Sequence, residues 1–238
     1  MKRTEPLVFH QPTTLAEATR IMLEGGSGGR FLAGGTDLLI AMKEKGLVPE
    51  YIVDLKKIPS LSEIHETSHG DISIGALTTL RKVETSPLIV ERYPFLAQSA
   101  AEVGSIQIRN RATIGGNMAN ATPSADVAPA LLALGAKVRI AGADGERVVD
   151  LGEFFRGPGQ TVAESGEILT ELLIPPHDCR LTGEYIKFSP RDMMDLAHIG
   201  VSVALVLTEK DKTCESVAIA LGAVSPTPMR APKAEAIL

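Results

Sequence analysis

The apolar positions of this chain change period several times, and each change marks an element. Residues 7–10 are a short apolar run that predicts a strand. Thr14-Leu15-Ala16-Glu17 has capping-box spacing, and Leu15, Ala18, Ile21 and Met22 then recur at helical intervals until Gly25-Gly26 stops them. Residues 30–33 read as a buried strand, Gly34-Gly35-Thr36 as a tight turn, 37–45 as a helix ended by Gly46, and 51–55 as another strand. Residues 56–59 read as a joint. Residues 62–67 and 71–75 predict a hairpin around His69-Gly70.

Residues 78–103 are mostly helical in pattern, with Pro87 and Pro94 each suiting the first turn of a short helix. Thr113-Ile114-Gly115-Gly116-Asn117 reads as a second turn, and Ser124 is expected to cap a helix running through Leu134. Residues 138–140 and 147–151 predict a hairpin across Ala143-Asp144-Gly145. After Pro175-Pro176 come three strands, 184–189, 199–207 and 216–223, joined by turns and therefore antiparallel. The pattern predicts an α+β fold in lobes 1–55, 56–175 and 176–238, without a regular βαβ repeat.

Composition narrows the function classes. The chain has 238 residues and a formal net charge of -5, with no basic stripe for a phosphate backbone and no Trp for base stacking, so nucleic acid is excluded as a partner. No apolar run reaches the roughly 18 residues needed to span a bilayer, and no apolar segment follows the charged N-terminus as a secretory signal would. Two cysteines, Cys179 and Cys214, hold neither a zinc nor an iron–sulfur cluster alone, and a reduced, cytoplasmic protein is expected.

Two segments could carry chemistry. In Leu32-Ala33-Gly34-Gly35-Thr36-Asp37-Leu38-Leu39 a strand runs into a Gly-Gly turn and a helix follows at once. Glycines let backbone approach a phosphate, and consecutive amides can point at it. In Thr113-Ile114-Gly115-Gly116-Asn117 and the following Ser124-Ala125-Asp126, Thr113 and Asn117 can donate to phosphate or ribose, and Asp126 can accept from a ribose hydroxyl or an adenine amine. Each segment alone is also what an ordinary turn before a helix looks like. On this reading a side chain at Gly34 or Gly115 expels the ligand and leaves the fold intact. Neither segment matches G-x-G-x-x-G or a P-loop, and the glycine run at 25–29 reads as a loop. His65-Glu66-Thr67-Ser68-His69 matches H-E-x-x-H, but zinc chelation needs both histidines on one helix face. In a strand, residues four apart lie roughly 13 Å from one another. Lys187, within Tyr185-Ile186-Lys187-Phe188, is either a snorkelling lysine or a cation placed near developing negative charge.

Taken together, these segments resemble the FAD subunit of molybdenum hydroxylases, the family of the carbon monoxide dehydrogenase medium subunit, the xanthine dehydrogenase flavin subunit and their hydroxybenzoyl-CoA reductase relatives. The resemblance covers nearly the whole chain. It rests on Ala33-Gly34-Gly35-Thr36-Asp37-Leu38, on Arg111-Ala112-Thr113-Ile114-Gly115-Gly116-Asn117, and on 120–131. Further pieces are Phe154-Phe155-Arg156-Gly157-Pro158-Gly159-Gln160-Thr161, Gly166-Glu167-Ile168-Leu169-Thr170-Glu171 and Ala220-Leu221-Gly222-Ala223-Val224-Ser225-Pro226-Thr227-Pro228.

The resemblance implies a two-lobed FAD-binding fold of the vanillyl-alcohol-oxidase (PCMH) type followed by a third α+β domain, here shortened, since family members run some tens of residues further. It implies that Leu32, Ala33, Gly34, Gly35, Thr36, Asp37, Leu38 and Leu39 hold the pyrophosphate and that Thr113, Ile114, Gly115, Gly116 and Asn117 complete the cradle. Ser124 and Asp126 would hold the adenosine side, Leu169, Lys187 and Leu196 would line the isoalloxazine, and Val103 would be a further contact. The implied partners are a molybdopterin-containing large subunit, a [2Fe-2S] small subunit, and NAD+ or another electron acceptor. No residue is expected to act in covalent catalysis, and the FAD is expected to be noncovalent. Two alternatives stand beside this reading: a self-sufficient flavin oxidase or dehydrogenase of the same fold, and a scaffold that has lost the flavin.

Overall fold

Three β-sheets follow one another along the chain in the computed structural model, which describes residues 6–191, 194–208, 210 and 213–238. The first contains β1 (Val8–His10), β2 (Gly29–Leu32) and β3 (Tyr51–Asp54), all parallel, in the order β1-β3-β2. Parallel strands need crossovers, and the helices Leu15–Gly25 and Leu38–Glu44 supply them. The Thr14 hydroxyl accepts from the Glu17 amide at 3.2 Å, as the capping-box spacing predicts. The returning Glu17 carboxylate takes the Thr13 amide at 3.0 Å. The central strand β3 is buried at every position. β2 was expected to be buried but lies at the sheet edge, where Arg30 is exposed and Phe31 half-buried.

The second sheet holds β4 (Ile64–Glu66), β5 (Ile72–Gly75), β6 (Lys137–Gly142) and β7 (Gly145–Asp150). After a small ribbon, β8 (Phe155–Gly157) with β9 (Gln160–Thr161), it is completed by β10 (Ile168–Ile174). Its order is β4-β5-β10-β6-β7, with every neighbouring pair antiparallel. Both hairpins follow the sequence expectation. β10, the central strand, does not: it is mostly buried, and a register shift between Leu169 and Glu171 breaks its alternation. Of the short helices Leu80–Thr85, Pro87–Arg92 and Pro94–Ala101, the last two begin at the prolines that predict them, and Thr79 caps the first. The helix Val127–Ala133 is buried at every residue and sits in the main core with Phe95, Leu96, Phe154 and Leu172. Ser124 does not cap it: Asp126 occupies the N-cap position and makes no side-chain cap bond.

The third sheet is antiparallel, with β11 (Thr182–Phe188), β12 (Ile199–Leu207), β13 (Cys214–Gly222) and β14 (Met229–Arg230) in sequence order. Its inner face carries Tyr185, Ser202, Ala204 and Ala220 and packs on the Pro94–Ala101 and Val127–Ala133 helices. This clamps the third sheet onto the second lobe. His65 lies on β4, which ends at Glu66, and His69 lies in the turn beyond it, so the H-E-x-x-H residues share no helix. Among the described residues no three His, Cys, Asp or Glu side chains group as metal ligands, and no helix is long and apolar enough to cross a membrane.

Candidate cofactor-binding cleft

The site starts at the carboxyl ends of the parallel strands, where open α/β sheets place their ligands. β2 ends at Leu32, which is buried, and residues 33–37 turn across the strand ends into the Leu38–Glu44 helix. Gly35 has φ +83°, a conformation that favours glycine. Gly34 is required for another reason: a Cβ there would lie 2.1 Å from the Arg111 carbonyl oxygen. The backbone N–H groups of residues 34–38 have no acceptor among the described residues, and the first to find one is Leu39, which donates to the Gly35 carbonyl at 3.0 Å. A run of unclaimed amides on a partly open turn is an anion-binding surface.

The second segment is built differently from the expectation. Thr113 caps the helix Ile114–Ala119, and its hydroxyl accepts from the Gly116 amide at 3.1 Å. The Ile114 amide donates to Thr78 O at 3.0 Å, Gly115 to Ala76 O at 2.9 Å and Asn117 to Thr113 O at 2.9 Å. These amides are therefore engaged within the protein and do not form a second open row. Gly115 serves packing, since a Cβ there would meet the Ala76 Cβ at 2.4 Å. Neither Gly34 nor Gly115 can accept a side chain without a backbone shift, which corrects the expectation that a substitution would leave the fold intact. What this segment does offer is Asn117, whose Oδ1 is buried and has no hydrogen-bond partner.

The two segments pack against one another, and both line a cleft of about 970 Å³, at the upper end of the range for small-molecule sites. Of the residues expected to form the site, all line this cleft except Leu32, Leu39, Ile114 and Lys187. Leu32 and Ile114 are buried beneath it, and Leu39 is exposed. The walls also include residues that sequence reasoning passed over: Ile40, Leu77, Ile108, Phe154, Glu167, Arg191 and Met194. Glu167 is held by Arg147 through a forked pair, Nε–Oε1 at 2.8 Å and Nη2–Oε2 at 2.7 Å, and this partner holds its carboxyl below the usual range. No His or Cys is among the lining residues.

Lys187 points elsewhere. Its ammonium donates to Asp126 Oδ2 at 3.1 Å and to the Glu102 carbonyl at 3.1 Å, with the two charged side chains only 5% and 9% exposed. The Tyr185 hydroxyl donates to Asp126 Oδ1 at 2.9 Å, so both carboxylate oxygens are held by β11. Burial raises the Asp126 pKa above the ordinary value, with the Lys187 cation and the two hydrogen bonds opposing it, and burial also pushes the Tyr185 phenol up.

The FAD-binding domain model of molybdopterin dehydrogenases matches residues 3–177, and the carbon monoxide dehydrogenase flavoprotein C-terminal domain model matches 184–238. The chain belongs to this flavoprotein family. Its fold is accordingly the two-lobed FAD-binding fold with the family's C-terminal domain, and it is a FAD-dependent oxidoreductase subunit. It is 33% identical to the carbon monoxide dehydrogenase medium chain of Hydrogenophaga pseudoflava, over 93% of this chain and 76% of that one. It is 34% identical to the glyceraldehyde dehydrogenase medium chain of Sulfolobus acidocaldarius, over 93% and 77%. Identity to a putative xanthine dehydrogenase FAD-binding subunit of Escherichia coli is 33%, over 95% and 77%. Among solved structures, carbon monoxide dehydrogenase from Hydrogenophaga pseudoflava superposes with a TM-score of 0.93 at 33% identity, covering 98% of this chain and 80% of that one. Quinoline 2-oxidoreductase from Pseudomonas putida 86 gives 0.91 at 29%, covering 100% and 81%.

The cleft fits FAD on its own chemistry. The open amide row suits a diphosphate, and the apolar walls suit an isoalloxazine. The orphaned Asn117 Oδ1 needs a donor, which a diphosphate lacks and the ribityl and ribose hydroxyls possess.

Proposed function

We propose that this flavoprotein holds FAD noncovalently in the cleft and relays electrons within a molybdenum hydroxylase. A molybdopterin-containing large subunit would oxidise the substrate, a [2Fe-2S] small subunit would deliver electrons one at a time, and NAD+ or another acceptor would receive them. The carrying observation is the unclaimed amide row of residues 34–38 together with the buried, unpartnered Asn117 side-chain carbonyl, both lining a cleft without a histidine or cysteine for a flavin bond. Two unpaired cysteines suit a cytoplasmic setting.

When bound, FAD supplies the redox chemistry, and the chain supplies position, electrostatics and exclusion of water. The 34–38 amides would take the diphosphate, Asn117 would accept from a ligand hydroxyl, and Val103, Leu169 and Leu196 would shield the ring. Ser124 and Asp126, which also line the cleft, would flank the adenosine, with both Asp126 oxygens already accepting from Tyr185 and Lys187. We read the chain as three lobes, 1–55, 56–175 and 176–238, a division that one main sheet in each supports.

The test is anaerobic. The isolated chain should be yellow, bleach with dithionite, and stay oxidised with candidate aldehydes, purines or aromatic acyl-CoA compounds. Adding a reduced iron–sulfur subunit should bleach it rapidly. Reduction by an organic substrate with no partner present would replace the relay with a self-sufficient dehydrogenase.

A further inference from the structure

We infer that Lys56 is a positioning residue for the diphosphate cradle; the inference rests on the cleft holding FAD, as proposed above. Three strand ends of the first sheet converge on one buried carboxylate. Asp54, the last residue of β3, is 3% exposed. Its Oδ1 lies 2.6 Å from Lys56 Nζ and accepts the Lys56 amide at 3.2 Å. Its Oδ2 accepts from Gln11 Nε2, just past β1, at 3.2 Å. Lys56 Nζ in turn donates to the Ala33 carbonyl, just past β2, at 3.2 Å.

That last bond sits at the start of the open amide row. A trans peptide is planar, with its C=O and N–H pointing in opposite directions. Pinning the Ala33 carbonyl on Lys56 therefore fixes the Gly34 N–H to point away from Lys56. The first amide of the row is set before any ligand arrives, and the next ones follow from the Gly35 turn. The lysine charge is largely neutralised by Asp54 at 2.6 Å, so its part is orientation rather than attraction of the phosphates. A cation acting on phosphate directly would instead add a salt-dependent attraction that ionic strength screens.

The experiment uses the flavin-stripped full chain and three probes: FAD, ADP and adenosine. Lys56→Met should weaken FAD and ADP about tenfold, the scale of one net hydrogen bond. It should leave adenosine, which has no phosphate, unchanged. The salt dependence of FAD binding should match the wild type; the ligand-free melting temperature should fall, because Asp54 is buried and loses its cation, so the contrast between the phosphate-bearing probes and adenosine carries the test. Lys56→Arg keeps a donor and should recover most of the affinity. Gln11→Leu, which loosens Asp54 from the other side, should weaken FAD about twofold. Unchanged FAD affinity in Lys56→Met would overturn the inference. So would an equal loss of all three probes, adenosine included, which marks a structural role. A wild-type chain that binds no FAD would instead defeat the underlying reading of the cleft.

Discussion

Replacing Lys187 with methionine removes the cation from a pair in which both charged side chains are almost fully buried and 3.1 Å apart. Asp126 would then keep only the Tyr185 hydroxyl at 2.9 Å. Breaking a buried pair from one side costs about 3–5 kcal/mol. At about 2–4 °C per kcal/mol for a chain of this size, the melting temperature should fall by roughly 6–20 °C. The carboxyl can escape part of this cost by taking a proton, because burial already raises its pKa and losing Lys187 raises it further. A folded pKa above the unfolded value stabilises below the unfolded pKa, and that contribution is lost as pH rises through the folded pKa. The deficit of Lys187→Met against wild type should therefore be largest at pH 8 and shrink toward pH 5. Adding Asp126→Asn should recover part of it at pH 8. The assay is thermal unfolding of both variants and the wild type across this pH range. A deficit equal at pH 5 and pH 8, or no deficit, would refute the reasoning. A variant of unchanged stability with a lowered flavin potential would return Lys187 to the ring-side role that the family resemblance implies.

The glycines give a second prediction. Gly34→Val and Gly115→Val should each lower the melting temperature of the ligand-free chain, in line with overpacking costs of about 1–3 kcal/mol, as well as release FAD; calorimetry on flavin-stripped protein separates the two effects. Acid precipitation of the holoprotein should leave yellow FAD in the supernatant, since no His or Cys lines the cleft to bond it, and a yellow pellet would show a covalent link. Metal analysis should find no stoichiometric zinc, because His65 is on a strand and His69 in the turn after it, and a zinc equivalent lost in His65→Ala would reverse that assignment.

Much of the fold was legible because its signals are local. Pro87 and Pro94 open the helices they predict, and the hairpins at β4-β5 and β6-β7 follow from alternation around turn residues. β10 was missed because its burial on both faces and its shift at Leu169/Glu171 erase the period-2 pattern on which strand reading depends. The site was legible as two glycine segments, but their physics was not. Gly34 and Gly115 look alike in sequence, and each lies against protein backbone. Only the first segment leaves its amides unclaimed, and that depends on what Thr78 and Ala76 accept from the second. The Asp126–Lys187 pair joins positions 61 residues apart, and no spacing rule connects them.

The contacts of Gly34 on Arg111 and of Gly115 on Ala76 have a kinetic consequence. Hydrogen atoms, rather than side chains, separate the turn from Arg111 and the second segment from Ala76, so neighbouring backbones are already seated against one another. Such a gap is a mould cast in advance rather than a jaw that shuts on its contents. Uptake of a dinucleotide into it should therefore be a single encounter, with an observed rate linear in FAD concentration; a rate that saturates would show a slow isomerisation instead.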